Sequence, residues 1–147
     1  MDKTARILVV DDDESVRKVL SSILVDEGYV VDTAENGKEA IEKSESKFYN
    51  LALIDIRLPD LKGTKLLTAM KETTPKMAKI IITGYPTLKN AVEAVNKGAD
   101  AYILKPFNMD NVLETIKEQL KKQQETKKYS EEKVTEFIKT RVKEVTQ

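Results

Sequence analysis

Leu51-Ala52-Leu53-Ile54-Asp55, continued by Ile56-Arg57-Leu58-Pro59-Asp60-Leu61-Lys62-Gly63, decides how this chain is read. Four apolar residues run into one acid and are closed at once by turn-forming residues, which is the pattern of a short buried strand with Asp55 at its carboxyl end. In open α/β sheets that end faces the ligand.

The same pattern recurs on both sides. Arg6-Ile7-Leu8-Val9-Val10 runs into Asp11-Asp12-Asp13, Tyr29-Val30-Val31-Asp32-Thr33-Ala34 precedes the Asn36-Gly37 turn, Lys79-Ile80-Ile81-Ile82-Thr83 is broken by Gly84-Tyr85-Pro86, and Ala101-Tyr102-Ile103-Leu104 is closed by Lys105-Pro106. Between these runs apolar residues return at helical spacing: Val16, Val19, Leu20, Ile23 and Leu24 before Gly28; Ala40 and Ile41; Leu66, Leu67 and Met70 before Pro75; Leu88, Ala91, Val92 and Val95 before Gly98; and Val112, Leu113, Ile116 and Leu120. Asp13 suits a helix cap, and Asp60 reads as a turn or cap residue. Five strands alternating with helices predict an α/β, doubly wound, five-stranded parallel sheet of flavodoxin-like order 2-1-3-4-5, which sets strand 1 beside strand 3.

Composition narrows the chemistry. The 147 residues suffice for one core, and they include no cysteine and no histidine, so thiolate, disulfide and imidazole chemistry are excluded. The 25 basic and 25 acidic residues cancel, so no global field draws the chain to nucleic acid or to an anionic membrane. No apolar run reaches a membrane span and residue 1 is not followed by a signal-peptide core, so a cytoplasmic protein is expected. No G-x-G-x-x-G or Walker loop follows a strand, which argues against a nucleotide-binding sheet.

The strand ends bring together Asp11, Asp12, Asp55, Thr83 and Lys105. Three crowded carboxylates stay ionised together only with a cation among them, and an all-oxygen donor set selects a hard ion, with Mg2+ fitting best. A metal, an ammonium and a hydroxyl around a carboxylate nucleophile form a site suited to phosphoryl transfer.

These motifs, Val9-Val10-Asp11-Asp12, the stretch from Leu53 to Gly63, Ile82-Thr83-Gly84 and Ala101 to Phe107, resemble in order those of receiver domains of two-component response regulators. The resemblance covers about residues 4–122. It implies that Asp55 accepts a phosphoryl group from a sensor histidine kinase or phosphotransfer protein, and that the metal is held by Asp11, Asp12, Asp55 and the backbone carbonyl of Arg57. It further implies that Thr83 and Lys105 bond the phosphoryl oxygens, that Tyr102 turns inward as the threonine moves, that Lys105-Pro106 is cis, and that helix 4, strand 5 and helix 5 form the output surface. Arg57 and Tyr85 would flank the approach of water. The module would be no enzyme beyond its own phosphorylation and dephosphorylation. Arg57 stands where an aspartyl-phosphate-forming phosphatase would carry a second acid, which is the rival reading.

Residues 1–122 are thus expected to form the receiver, with 123–147 a charged linker and an amphipathic helix capped by Ser130 and striped by Val134, Phe137, Ile138, Arg141, Val142 and Val145. From Lys121 onward eight basic residues face five acidic ones. The stripe predicts a homodimer contact, with no direct nucleic-acid binding by this chain. The Thr83-Gly84-Tyr85-Pro86 turn resembles receivers attached to DNA-binding transcriptional regulators, so a truncated regulator is the other alternative.

Overall fold

The computed structural model describes residues 5–146, with side chains through residue 139. The chain alternates β1(Arg6–Val10), α1(Glu14–Asp26), β2(Val30–Ala34), α2(Gly37–Ser46), β3(Leu51–Asp55), α3(Gly63–Ala69), β4(Ala78–Thr83), α4(Leu88–Asn96), β5(Ala101–Leu104) and α5(Met109–Thr146). All pairings are parallel, in the order β2-β1-β3-β4-β5.

Strand residues alternate between two cores. Leu8, Val10, Ala52, Ile54 and Ile81 meet α2, α3 and α4 through Ala40, Leu66, Leu67 and Ala94. Ile7, Val9, Leu53, Ile80, Ile82 and Ile103 meet α1 and α5 through Leu20, Leu24, Val112 and Ile116. Asp13 caps α1, its carboxylate accepting from the amides of Ser15 at 2.8 Å and Val16 at 3.3 Å. Gly28 and Gly98 close α1 and α4 at φ +100° and +96°, where a side chain would be strained.

Two expectations change. Leu88, Val92 and Val95 do not face the core: they are 80%, 50% and 70% exposed, and α4 lies on the sheet through Ala94. Small residues let this helix sit close, leaving its larger apolar side outward, and Leu104 at the end of β5 is half-exposed as well. Ser130 starts no helix, because α5 runs unbroken from Met109 to Thr146. Its segment 109–146 holds no Gly or Pro, and Lys, Gln and Glu between residues 121 and 128 are good helix formers. Among the described residues no helix is long and apolar enough to cross a membrane.

Candidate functional site

Register places the charged residues. Val10 pairs with Ile54, so the next residues, Asp11 and Asp55, leave the sheet side by side; Asp55 pairs with Ile82 and Thr83 with Leu104, which brings Lys105 over the same edge. The Lys105 Nζ lies 2.9 Å from Asp11 Oδ2 and 3.6 Å from Asp55 Oδ2. Asp11 and Asp55 are 3% and 6% exposed, whereas Asp12 is open to solvent. Asp11, Asp12 and Asp55 each offer an oxygen within 4.8 Å of the other two.

Burial pushes the Asp55 carboxyl above the ordinary aspartate range and the charge of Asp11 adds to this, while Lys105 and the Arg57 N–H oppose without cancelling it. Burial would likewise pull Lys105 down, but the hydrogen bond and charge of Asp11, with Asp55 behind them, hold it above the ordinary lysine value. Three carboxylates against one ammonium leave two negative charges uncompensated. The donor set is entirely oxygen, and the exposed Asp12 leaves a path inward. The residues therefore fit a hard dication.

Thr83 is fully buried, and its Oγ1 accepts from the Tyr85 amide at 2.9 Å. The Tyr102 ring already packs inward against the core beneath α3 and α4, with its hydroxyl buried and unbonded among the described residues. Its inward position thus coexists with a threonine held by the next turn. The Lys105-Pro106 bond is cis, as the resemblance implies; so is Thr74-Pro75, which nothing in the sequence reading singled out.

The loop after β3 is folded back on itself. Arg57 bridges Lys62, and the Gly63 amide donates to Ile56 O at 2.7 Å. A Cβ on Gly63 would stand 2.2 Å from Asp55 O and 2.9 Å from Ile56 Cα, so only glycine permits this approach. Asp60 caps α2 across the gap, accepting from the amides of Gly37 at 2.8 Å and Lys38 at 2.9 Å, and these donors hold its pKa low. Glu93 of α4 accepts from the Thr64 hydroxyl at 2.6 Å and pairs with Lys62 at 2.9 Å, and this pair of partners lowers its carboxyl to about 2.

Two contacts escaped the sequence. The Arg57 guanidinium stacks on the Tyr85 ring, 3.5 Å from its centroid, and links the β3–α3 and β4–α4 loops. Arg17 of α1 donates from Nη1 to the Asp11 carbonyl at 2.7 Å, with Nη2 3.8 Å from Glu35. Neither carries a local signal, since each depends on which loops the topology makes neighbours.

Residues 7–117 match the family described as "Response regulator receiver domain". The chain is 40% identical over 114 residues to the transcriptional regulatory protein ZraR of Klebsiella oxytoca, covering 78% of this chain and 26% of that protein. It is 38% identical over 119 residues to the DNA-binding transcriptional regulator NtrC of Escherichia coli K12, covering 81% and 25%. The chain therefore spans about a quarter of the length of these curated relatives. Among solved structures, a CheY-like response regulator receiver domain protein from Methanospirillum hungatei superposes with a TM-score of 0.80 at 48% identity, over 84% of this chain and 98% of that one. The chain, with its parallel strands in the order β2-β1-β3-β4-β5 and acids at the ends of β1 and β3, belongs to the response regulator receiver domain family, whose function is phosphoryl acceptance.

Proposed function

We propose that Asp55 is the phospho-acceptor of this signalling module and that Asp11, Asp12, Thr83 and Lys105 serve its reaction. The observation that carries this is the Lys105 ammonium lying 2.9 Å from Asp11 and 3.6 Å from Asp55 at the carboxyl edge of the sheet. In the forward step an Asp55 carboxylate oxygen attacks the phosphorus of a phosphohistidine on a partner kinase or phosphotransfer protein, the P–N bond breaks, and the imidazole keeps its electron pair and takes up a proton. Bound at this site, Mg2+ would be held by Asp11, Asp12, Asp55 and the Arg57 carbonyl and would neutralise charge on the phosphoryl oxygens. Lys105 then moves its attraction from the carboxylate to the new phosphate, and Thr83 gives up the Tyr85 amide to donate to it. In a separate hydrolytic step water attacks phosphorus and loses a proton, the bond between phosphorus and the Asp55 oxygen breaks, inorganic phosphate leaves and the Asp55 carboxylate is restored.

Arg57, stacked on Tyr85, offers only donors where a phosphatase would need an acid, which supports a stable product over turnover. The stacked pair ties the β3–α3 loop to the β4–α4 loop, and on this reading it limits the approach of water to the phosphoryl group. The signal leaves through the apolar side of α4 and the end of β5, where Leu88, Val92, Val95 and Leu104 are exposed.

A second copy of this chain is the partner proposed for α5. With 3.6 residues per turn, Val134 and Ile138 stand about five turns beyond Ile116 and Leu120, on the same azimuth as the face that packs on the sheet. The core-facing side of α5 therefore continues past the domain, and there Val134 and Ile138 are 57% and 53% exposed. Arg141, Val142 and Val145 lie outside the residues whose side chains are described.

The test is mass spectrometry after incubation with a small-molecule phosphodonor and Mg2+. One acid-labile phosphate is expected in the wild type and none in Asp55→Asn. An unmodified wild type beside a modified control receiver would refute the proposal.

A further inference from the structure

We infer that Arg17 is a positioning residue for the acidic pair, setting divalent-cation affinity from behind it. The inference rests on the reading of Asp11, Asp12 and Asp55 as a cation site. The side chain of Arg17 is only 16% exposed and reaches back from α1 to the Asp11 peptide, where Nη1 donates to the Asp11 carbonyl at 2.7 Å. Nη2 lies 3.8 Å from Glu35, in the loop after β2, and the Asp11 amide itself donates to Ala34 O at 3.1 Å. Arg17 thereby straps the β1–α1 loop to the β2–α2 loop at the peptide that joins Asp11 to Asp12. A planar guanidinium with two fixed donors can hold both partners at once, and a lysine ammonium on its flexible stem cannot hold them in the same geometry.

Coulomb's law makes this inference easy to separate from its rival. Arg17 is a cation bonded to the Asp11 carbonyl, and as a charge alone it competes with a bound dication, so its removal would tighten metal binding. As an orienting group it does the reverse: without it the carbonyl of the Asp11–Asp12 peptide loses its fixed donor, and the two carboxylates converge less closely. Groups that orient metal ligands from outside typically change affinity by about 10- to 100-fold. The sign of the change decides between the two roles.

The experiment is calorimetric titration of Mg2+ into the full chain, as wild type, Arg17→Met and Arg17→Lys, each checked by thermal melting without metal. Binding weakened about tenfold in Arg17→Met is expected, and by several-fold in Arg17→Lys, which keeps the charge and loses the fork. Unchanged or tighter binding in a folded Arg17→Met overturns the inference. Should that variant lose its cooperative melt, Arg17→Lys decides, and wild-type affinity in it is equally fatal. A wild type that binds no Mg2+ removes the cation site itself, and the role of Arg17 with it, a result distinct from a tight wild type with tight variants.

Discussion

Replacing Gly63 by alanine tests whether the loop after β3 holds Asp55 in place. The added Cβ would lie 2.2 Å from the Asp55 carbonyl oxygen and 3.0 Å from its carbonyl carbon, so the backbone must part by about 0.8 Å merely to bring the oxygen to 3.0 Å. That movement stretches the 2.7 Å bond from the Gly63 amide to Ile56 O, worth about 1 kcal/mol, and adds overpacking strain of about 1–3 kcal/mol. Alanine recovers about 0.4–1 kcal/mol by restricting the unfolded chain. A net loss of about 1–3.5 kcal/mol is expected from the urea midpoint at constant m-value. Because the displaced atoms belong to Asp55 itself, the phosphorylation rate should fall by about 10²-fold, the loss typical of a misplacement near 1 Å. Gly84→Ala is the control within the same site: its Cβ would meet only Lys105 Cβ at 3.8 Å, and stability should stay within about 0.5 kcal/mol. A Gly63→Ala protein with wild-type stability would refute the contact, and one destabilised as expected with an undiminished rate would refute its link to Asp55.

Asp55→Asn should raise the urea midpoint in metal-free buffer, because burial and Asp11 disfavour the native carboxylate. Its folded pKa lies above the unfolded one, so the native state holds the extra proton and stability declines as pH rises between the two values. The gain in Asp55→Asn is therefore largest above the folded pKa and disappears below the ordinary aspartate range; a pH-independent gain would contradict this cause. Mg2+ at a hundred times its dissociation constant should add about 2.7 kcal/mol to the wild type, read by thermal melting, and less to Asp55→Asn; equal shifts would place the ion elsewhere. Tyr85→Ala removes the ring under Arg57 and should shorten the phosphate lifetime several-fold by mass-spectrometric decay, a longer lifetime being the contrary result. Sedimentation should show a dimer for the full chain and a monomer without residues 129–147, with Ile138→Glu behaving as the shortened chain; monomers throughout would end the α5 proposal.

The fold was legible where local pattern and tertiary role coincide. Apolar runs in β1 and β3 have both faces covered, so their ends could be read to the residue at Val10 and Asp55. The strand-end chemistry followed, because a parallel sheet sends all its carboxyl ends to one edge. Helices were harder. Periodicity picks out the bulkiest stripe, but α4 packs by its small side, and the side marked by Leu88, Val92 and Val95 faces outward. A cap-like Ser130 could not show that the helix entering from Leu120 never stops. The anchoring of that helix was also invisible: Gln123 donates to Asn50 O and Lys76 O, both at 2.8 Å, from loops 73 and 47 residues away in sequence.

The two adjacent acids at the end of β1 are separated by their surroundings. Every polar group of Asp11 is engaged: its amide with Ala34 O, its carbonyl with Arg17, Oδ1 with the Asp13 amide at 2.9 Å and Oδ2 with Lys105 at 2.9 Å. A residue so fully bonded has little freedom to follow an incoming ion, but it fixes where its neighbours point and keeps Lys105 beside Asp55. Asp12 is exposed and can exchange water for metal. On the proposed reading, then, Asp11 supplies rigidity and charge while Asp12 supplies the first contact with the cation. Neutralising Asp12 should cost mainly metal affinity, whereas neutralising Asp11 should also release Lys105, the cation that meets the arriving phosphoryl group.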